Sequence, residues 1–226
     1  MKAWTLLFDI DGTIMTSAHA GTSAMAETAK ELFGVEEIGP LNVHGRCDRG
    51  ILAELFQGLG VSYEQHHEEF SQRYYQNLPA SLIRNQGRLL PGVKSLLETL
   101  HTQDNIALGI LTGNLKRAAE IKLKHVGVEQ YFSFGGYGDQ FADRNDVASQ
   151  AVQSAKFTIK EVFSSDKMWV IGDTPNDIRC ARSIGAKVLA VETGGGSPEE
   201  LSNAEPDLLL PDLSDCGIWL KSLNSG

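Results

Sequence analysis

Cysteine is scarce in this chain, with three among 226 residues. Cys47, Cys180 and Cys216 lie far apart and form no CxxC pair. A disulfide framework and a structural zinc site are therefore not expected, and reduced, buried thiols in a cytoplasmic protein are. Long apolar runs are also lacking. None approaches the roughly 20 residues of a membrane helix. The start, Met1 to Asp9, has too short an apolar segment and too acidic an end for a signal peptide. No repeat or low-complexity tract occurs. Basic residues are the minority, 20 against 29 acidic, for a net charge of −9. That balance argues against nucleic acid and anionic membranes as partners. It leaves room for a small phosphorylated ligand, because a metal ion can supply local positive charge.

What remains is an ordinary globular composition, 42% hydrophobic and 22% charged. The length suits one large domain, or one domain with a smaller insert. Trp4 to Phe8 reads as a buried strand that stops at Asp9. Helical periodicity follows at about Thr22–Phe33, ended by Gly34, then from an Asp48 cap through Phe56, then from about Ser62 through Tyr75. Residues 15–86 thus read as helical, with no strand. From Leu89 onward helices and strands alternate. Strands are expected at Ile106–Leu111, Tyr131–Gly136, Met168–Ile171, Lys187–Val191 and, as an edge, Leu208–Leu210. Helices are expected after Pro91-Gly92 and at about Leu115–His125, Asp146–Phe157, Asp177–Ile184, Pro198 onward and Gly217–Leu223. This βα alternation implies a Rossmann-like α/β core with a parallel sheet. The expected division is a core of residues 1–14 and 87–226, with a helical domain of 15–86 inserted after the first strand.

In open parallel sheets, ligands bind beyond the carboxyl ends of the strands. The residues standing there are Asp9-Ile10-Asp11-Gly12-Thr13, then Thr112-Gly113-Asn114, a loop with Asp139, Asp143 and Arg144, then Asp173 with Asp177, then Gly194-Gly195-Gly196. Several carboxylates in one cleft repel one another, which a divalent cation relieves. Oxygen-only ligands favour Mg²⁺. A carboxylate beside such a metal suits nucleophilic attack, and a second one two residues on suits general acid–base work.

These residues resemble those of the haloacid dehalogenase superfamily. Asp9-Ile10-Asp11-Gly12-Thr13 is similar to its first motif, Thr112-Gly113-Asn114 to the second, and Gly172-Asp173-Thr174-Pro175-Asn176-Asp177 to the acidic fourth. The helical insert matches the cap position of the phosphoglycolate phosphatase-like branch. The resemblance implies a phosphatase acting on a small phosphorylated metabolite, of phosphoglycolate or sugar-phosphate type. Monomer and homodimer both stay open, because a helical cap can pair with a neighbour or stand free. Asp9 would attack phosphorus, and Asp11 would protonate the leaving oxygen and then activate water. Thr112 would bind the phosphoryl oxygens, with Gly113 and Asn114 contributing. Asp9, the Asp11 carbonyl and Asp173 would hold Mg²⁺, with Asp177 in support. The family's third motif is usually a lysine, often before proline, and no Lys-Pro occurs here. Arg144 is the candidate and Lys156 its competitor.

Rival readings remain within the fold. A dehalogenase would lack the acid at Asp11, whereas a β-phosphoglucomutase-like phosphotransferase would keep it. A non-catalytic binding protein is the rival from another class. Arg46, in His44-Gly45-Arg46, either reads the substrate's anionic tail or is a solvated surface charge. The bland readings are a solvated face for His66 and His67, an exposed helix face for Lys116, Arg117, Lys122 and Lys124, a flexible loop for the triple glycine, and core for Trp169.

Overall fold

The computed structural model describes residues 4–159 and 164–224. Its centre is a six-stranded parallel sheet in the order β5-β4-β1-β6-β7-β8. The strands are β1 (Trp4–Phe8), β4 (Ile106–Leu111), β5 (Phe134–Gly136), β6 (Met168–Gly172), β7 (Lys187–Val191) and β8 (Leu208–Leu210). β1 lies between β4 and β6, pairing Phe8 with Ile110 on one side and Ile171 on the other. The chain passes to opposite sides of β1, so the end of β1 is the switch point where such sheets bind ligands.

Side-chain alternation sends Leu6 and Phe8 to one face of the sheet and Leu7 to the other. On the first face pack α4 (Val93–His101), α5 (Lys116–His125) and α9 (Gly217–Asn224). Leu96, Leu97, Leu100, Leu123 and Trp219 form that core. On the second pack α6 (Arg144–Thr158), α7 (Pro175–Ser183) and α8 (Pro198–Asn203), through residues such as Val147, Ala151, Ile178 and Leu201.

Between β1 and α4 come three helices, α1 (Ala20–Phe33), α2 (Asp48–Leu59) and α3 (Tyr63–Arg84). They share an aromatic centre in which Phe56 meets Phe70 edge-on at 5.2 Å and Phe33 stacks on Phe70 at 6.2 Å. Gly34 ends α1 in the left-handed conformation, the role its position suggested.

Five expectations for this stretch and beyond need correction. A two-stranded antiparallel ribbon joins β2 (Met15–Thr16) to β3 (Arg88–Leu89), so residues 15–86 do contain a strand. Two residues are too few for periodicity to reveal. α3 runs on to Arg84 through an internal Pro79. Tyr131 belongs to a short 3₁₀ turn, and β5 begins only at Phe134. Asp48 is the first residue of α2 and Cys47 holds the cap position. The Asp48 carboxylate instead crosses to the sheet, where Oδ2 accepts the Leu115 N–H at 2.9 Å at the start of α5. Its own N–H donates to the Gly113 carbonyl at 2.7 Å. His66 and His67 also differ from a solvated face: His66 lies edge-on to Phe33 and His67 stacks on Tyr63.

Burial raises the pKa of Asp48 to about 6, against the lowering effects of Lys122 and the Leu115 amide. The folded state therefore binds this proton more tightly than the unfolded chain between about pH 4 and 6, and stability falls as pH rises through that window. Asp48→Asn should gain stability relative to the wild type by about 2–3 kcal/mol between pH 4 and pH 7.5, measured by urea unfolding at both. A difference constant with pH would contradict the assignment.

Candidate active site

The carboxyl ends of β1, β4 and β6 deliver Asp9, Thr112 and Asp173 side by side, and all three are buried. Asp9 follows Phe8 directly and its N–H donates to the Ile171 carbonyl at 2.9 Å, which fixes its backbone to β6. Beyond Asp11 the chain reverses at Gly12, whose φ is +90°. A Cβ there would stand 2.4 Å from Asp173 Oδ2 and 2.8 Å from Gly194 Cα. Glycine is therefore required both by conformation and by space.

Asp173 is held on both oxygens. Thr13 donates to Oδ1 at 3.0 Å and the Gly195 N–H donates to Oδ2 at 2.6 Å. The Gly196 N–H donates to the Asp173 carbonyl at 3.0 Å. The triple-glycine loop thus wraps a protein carboxylate, and these two amides are engaged there rather than left for a phosphate or a flexible loop. Asp177 sits in the first turn of α7, where Oδ2 accepts from the Thr174 N–H and hydroxyl in a reciprocal capping box.

Carboxylate oxygens of Asp9, Asp173 and Asp177 all lie within 4.8 Å of one another. Burial, opposed by Arg144 and reinforced by the charges of Asp177 and Asp11, raises the pKa of Asp9 to about 7. Burial, together with Asp177 and Asp9, drives that of Asp173 well above the aspartate range. Arg144, the first residue of α6, donates to Asp9 Oδ1 at 3.1 Å and to Asp177 Oδ1. Burial works against its charge, but Asp177 and Asp9 prevail and raise its pKa well above the ordinary arginine value. Lys156 stands exposed in the last turn of the same helix, roughly 18 Å along the axis from Arg144. Asp139 and Asp143, which share the loop before α6, serve structure: Asp139 accepts the Lys116 N–H at 2.8 Å and Asp143 caps α6.

The second cluster centres on Asp11. Its Oδ2 accepts from Asn114 Nδ2 at 2.8 Å and from Lys122 Nζ at 2.6 Å. Lys122 also donates to Asn114 Oδ1 at 2.6 Å, and Asn114 Nδ2 donates to Thr112 Oγ1 at 2.8 Å. Burial opposes the charge on Asp11, but the Lys122 ammonium and the hydrogen bonds from Lys122 and Asn114 hold its pKa below the ordinary value. Lys122 is 4% exposed, so its placement on an exposed basic face is corrected. Lys116, Arg117 and Lys124 do stand on that face. The signal was present in the sequence: Lys122 shares the helical stripe of Ala118, Ala119 and Leu123.

These groups line one cavity of about 310 Å³ under α1–α3. His19, Met25, His44, Arg46, Ile51 and Tyr74 close it from the helical side. Gly113 has its backbone against Arg46, where a Cβ would stand 2.0 Å from the Arg46 carbonyl. Arg46 lines the cavity, but its guanidinium pairs with Glu54 at 2.7 Å and the Asn42 carbonyl at 2.9 Å.

The match of this chain to a family model decides the family. Residues 6–191 match the model of haloacid dehalogenase-like hydrolases. The chain belongs to that family. Two relatives of this hydrolase are phosphoglycolate phosphatases. That of Aquifex aeolicus is 26% identical over 210 residues, covering 93% of each chain. That of Synechococcus elongatus is 28% identical over 210 residues, again covering 93% of each. A haloacid dehalogenase-like hydrolase structure from Streptococcus pneumoniae superposes with a TM-score of 0.64 at 25% identity, covering 99% of this chain and 98% of that one.

Gly12→Ala should destabilise the hydrolase by about 2–3 kcal/mol, through its left-handed backbone and the clash with Asp173. Thermal unfolding checks this, and an unchanged melting temperature would contradict the packing described.

Proposed function

We propose that this hydrolase is a Mg²⁺-dependent phosphatase that cleaves a small phosphorylated metabolite through an aspartyl-phosphate on Asp9. The observation that carries the reading is the convergence of Asp9, Asp173 and Asp177 within 4.8 Å, with Arg144 bridging Asp9 and Asp177, at the cavity lined by Asp9, Asp173, Asp11 and Thr112. The relatives, as phosphoglycolate phosphatases, make phosphoglycolate a candidate substrate. Residues 15–86 are read as a cap over the core of 1–14 and 87–226.

A hard divalent cation fits this donor set. The carboxylates are oxygen ligands, and the raised pKa values of Asp9 and Asp173 record the cost of gathering negative charge in a buried place. Asp9 and Asp173 would hold the ion with the Asp11 carbonyl, and Asp177 would support it. When bound, Mg²⁺ supplies the positive charge that keeps these carboxylates ionised and offsets the phosphoryl charge.

A carboxylate oxygen of Asp9 attacks phosphorus while the ester P–O bond breaks and Asp11, which must hold its proton against the pull of Lys122 and Asn114, gives that proton to the leaving oxygen. Asp11, now ionised, takes a proton from water as that water attacks phosphorus, and the P–O bond to Asp9 breaks. Phosphate leaves and Asp11 is again protonated. Thr112 and the Gly113 amide are assigned to the phosphoryl oxygens and Arg144 to fixing Asp9, whereas the Asn114 amide, expected to bind substrate, is already engaged with Asp11, Thr112 and Lys122. Arg46, tied to Glu54, reads the distal end of the substrate only if that pair opens. Three free, buried cysteines support a cytoplasmic setting. Among the described residues, no helix is long and apolar enough to cross a membrane.

Phosphate release from p-nitrophenyl phosphate should need Mg²⁺, stop with EDTA and vanish in Asp9→Asn. Arg144→Ala should lose at least tenfold in kcat, about 1.4 kcal/mol, whereas Lys156→Ala should match the wild type. Absence of turnover by the wild type across a panel of phosphorylated metabolites would overturn the reading.

A further inference from the structure

Asp11 has two carboxylate oxygens in unequal surroundings. Oδ2 receives both Lys122 and Asn114, at 2.6 and 2.8 Å. Oδ1 is buried and accepts no close hydrogen bond, with the Ser17 hydroxyl as the further group that favours the ionised carboxylate. Asp11 lines the cavity. Lys122 reaches it from the second turn of α5, 111 positions along the chain. Its ammonium also holds the Asn114 amide oxygen, which orients the amide so that Nδ2 points to Asp11 and to Thr112. The three side chains form a closed hydrogen-bonded ring, and a ring with every edge made restricts rotation of the carboxylate.

We propose that Lys122 is a positioning residue for Asp11: with Asn114 it pins Oδ2 and so holds the carboxylate in one orientation at the cavity for its proton transfers. Lys122 acts through Asp11 and does not bind substrate. Removing it frees the carboxylate to turn, and proton removal from water slows. The water step is the one affected in isolation when the leaving group departs without needing a proton, as p-nitrophenolate does. This inference rests on the aspartyl-phosphate reading.

The test uses Lys122→Met, which retains most of the buried stem, and Lys122→Gln, which retains a hydrogen-bond donor. Both are assayed with Mg²⁺ and p-nitrophenyl phosphate, and acid-quenched protein is analysed for the fraction phosphorylated. Lys122→Met should lose about tenfold or more in kcat without a rise in KM, and its phosphorylated fraction should exceed that of the wild type. Lys122→Gln should lie between the two. A protein that merely misfolds loses active sites without accumulating phosphoenzyme, so that outcome in both variants overturns the proposal. A raised KM with no accumulation assigns Lys122 to substrate binding and also overturns it. If the wild type turns over through a phosphoenzyme while both variants match it, the proposal fails and the phosphatase reading stands. If the wild type forms no phosphoenzyme, both fail.

Discussion

Three aspartates with oxygens within 4.8 Å of one another, buried beyond the end of a parallel sheet, set the conditions for the rest of this molecule. Gathering such charge away from water is unfavourable, and the pKa of Asp9, raised to about 7 chiefly by burial, expresses it. The fold offsets the cost with groups drawn from distant parts of the chain. Arg144 comes from the start of α6, the Gly195 amide from the loop after β7, and Thr13 from the turn after β1. Glycines at 12 and 194 let the two loops close on Asp173, because a Cβ at either position would lie within 2.4 Å of Oδ2. Each of these features loses its purpose if the carboxylates are dispersed.

The Asp11 side of the cavity has a different electrostatic character. Asp11 has its pKa depressed against the pull of burial, by Lys122 and Asn114, while Asp9 a few ångströms of backbone away has its pKa raised. Two aspartates separated by one residue are thus driven in opposite directions by their surroundings. Mg²⁺ bound beside Asp9 would favour its ionised form, which is the form its proposed role as nucleophile needs. The helical segment shares in this design, since Asp48 reaches the start of α5 and Asn176 donates to the Gly45 carbonyl at 2.6 Å. These contacts hold α1–α3 above the ends of the strands.

Much of the fold was legible in the sequence because its elements are long and their periodicity strong. β1, β4, β6 and β7 read as apolar runs, each ending close to a residue that lines the site. The β2–β3 ribbon escaped because two residues carry no period and their pairing joins positions more than 70 apart. Asp48 was misread because an aspartate before an apolar run signals a helix cap, and nothing local reveals a partner 67 positions away. The motifs led directly to Asp9, Asp11, Thr112, Asp173 and Asp177, and the geometry gathers them. Lys122 was the chief omission. A lysine among lysines reads as a solvated face, and only its phase with Ala118, Ala119 and Leu123 separates it from the others.

The central claim is that Asp9 becomes phosphorylated, and trapping the covalent intermediate tests it most directly. An acyl phosphate on an aspartate is reduced by borohydride to homoserine. The enzyme is mixed with a phosphate ester and Mg²⁺, quenched, reduced, digested and sequenced by mass spectrometry. The account predicts homoserine at position 9 and at no other aspartate. Homoserine at Asp11 or Asp173, or at no position while phosphate is released, would contradict it.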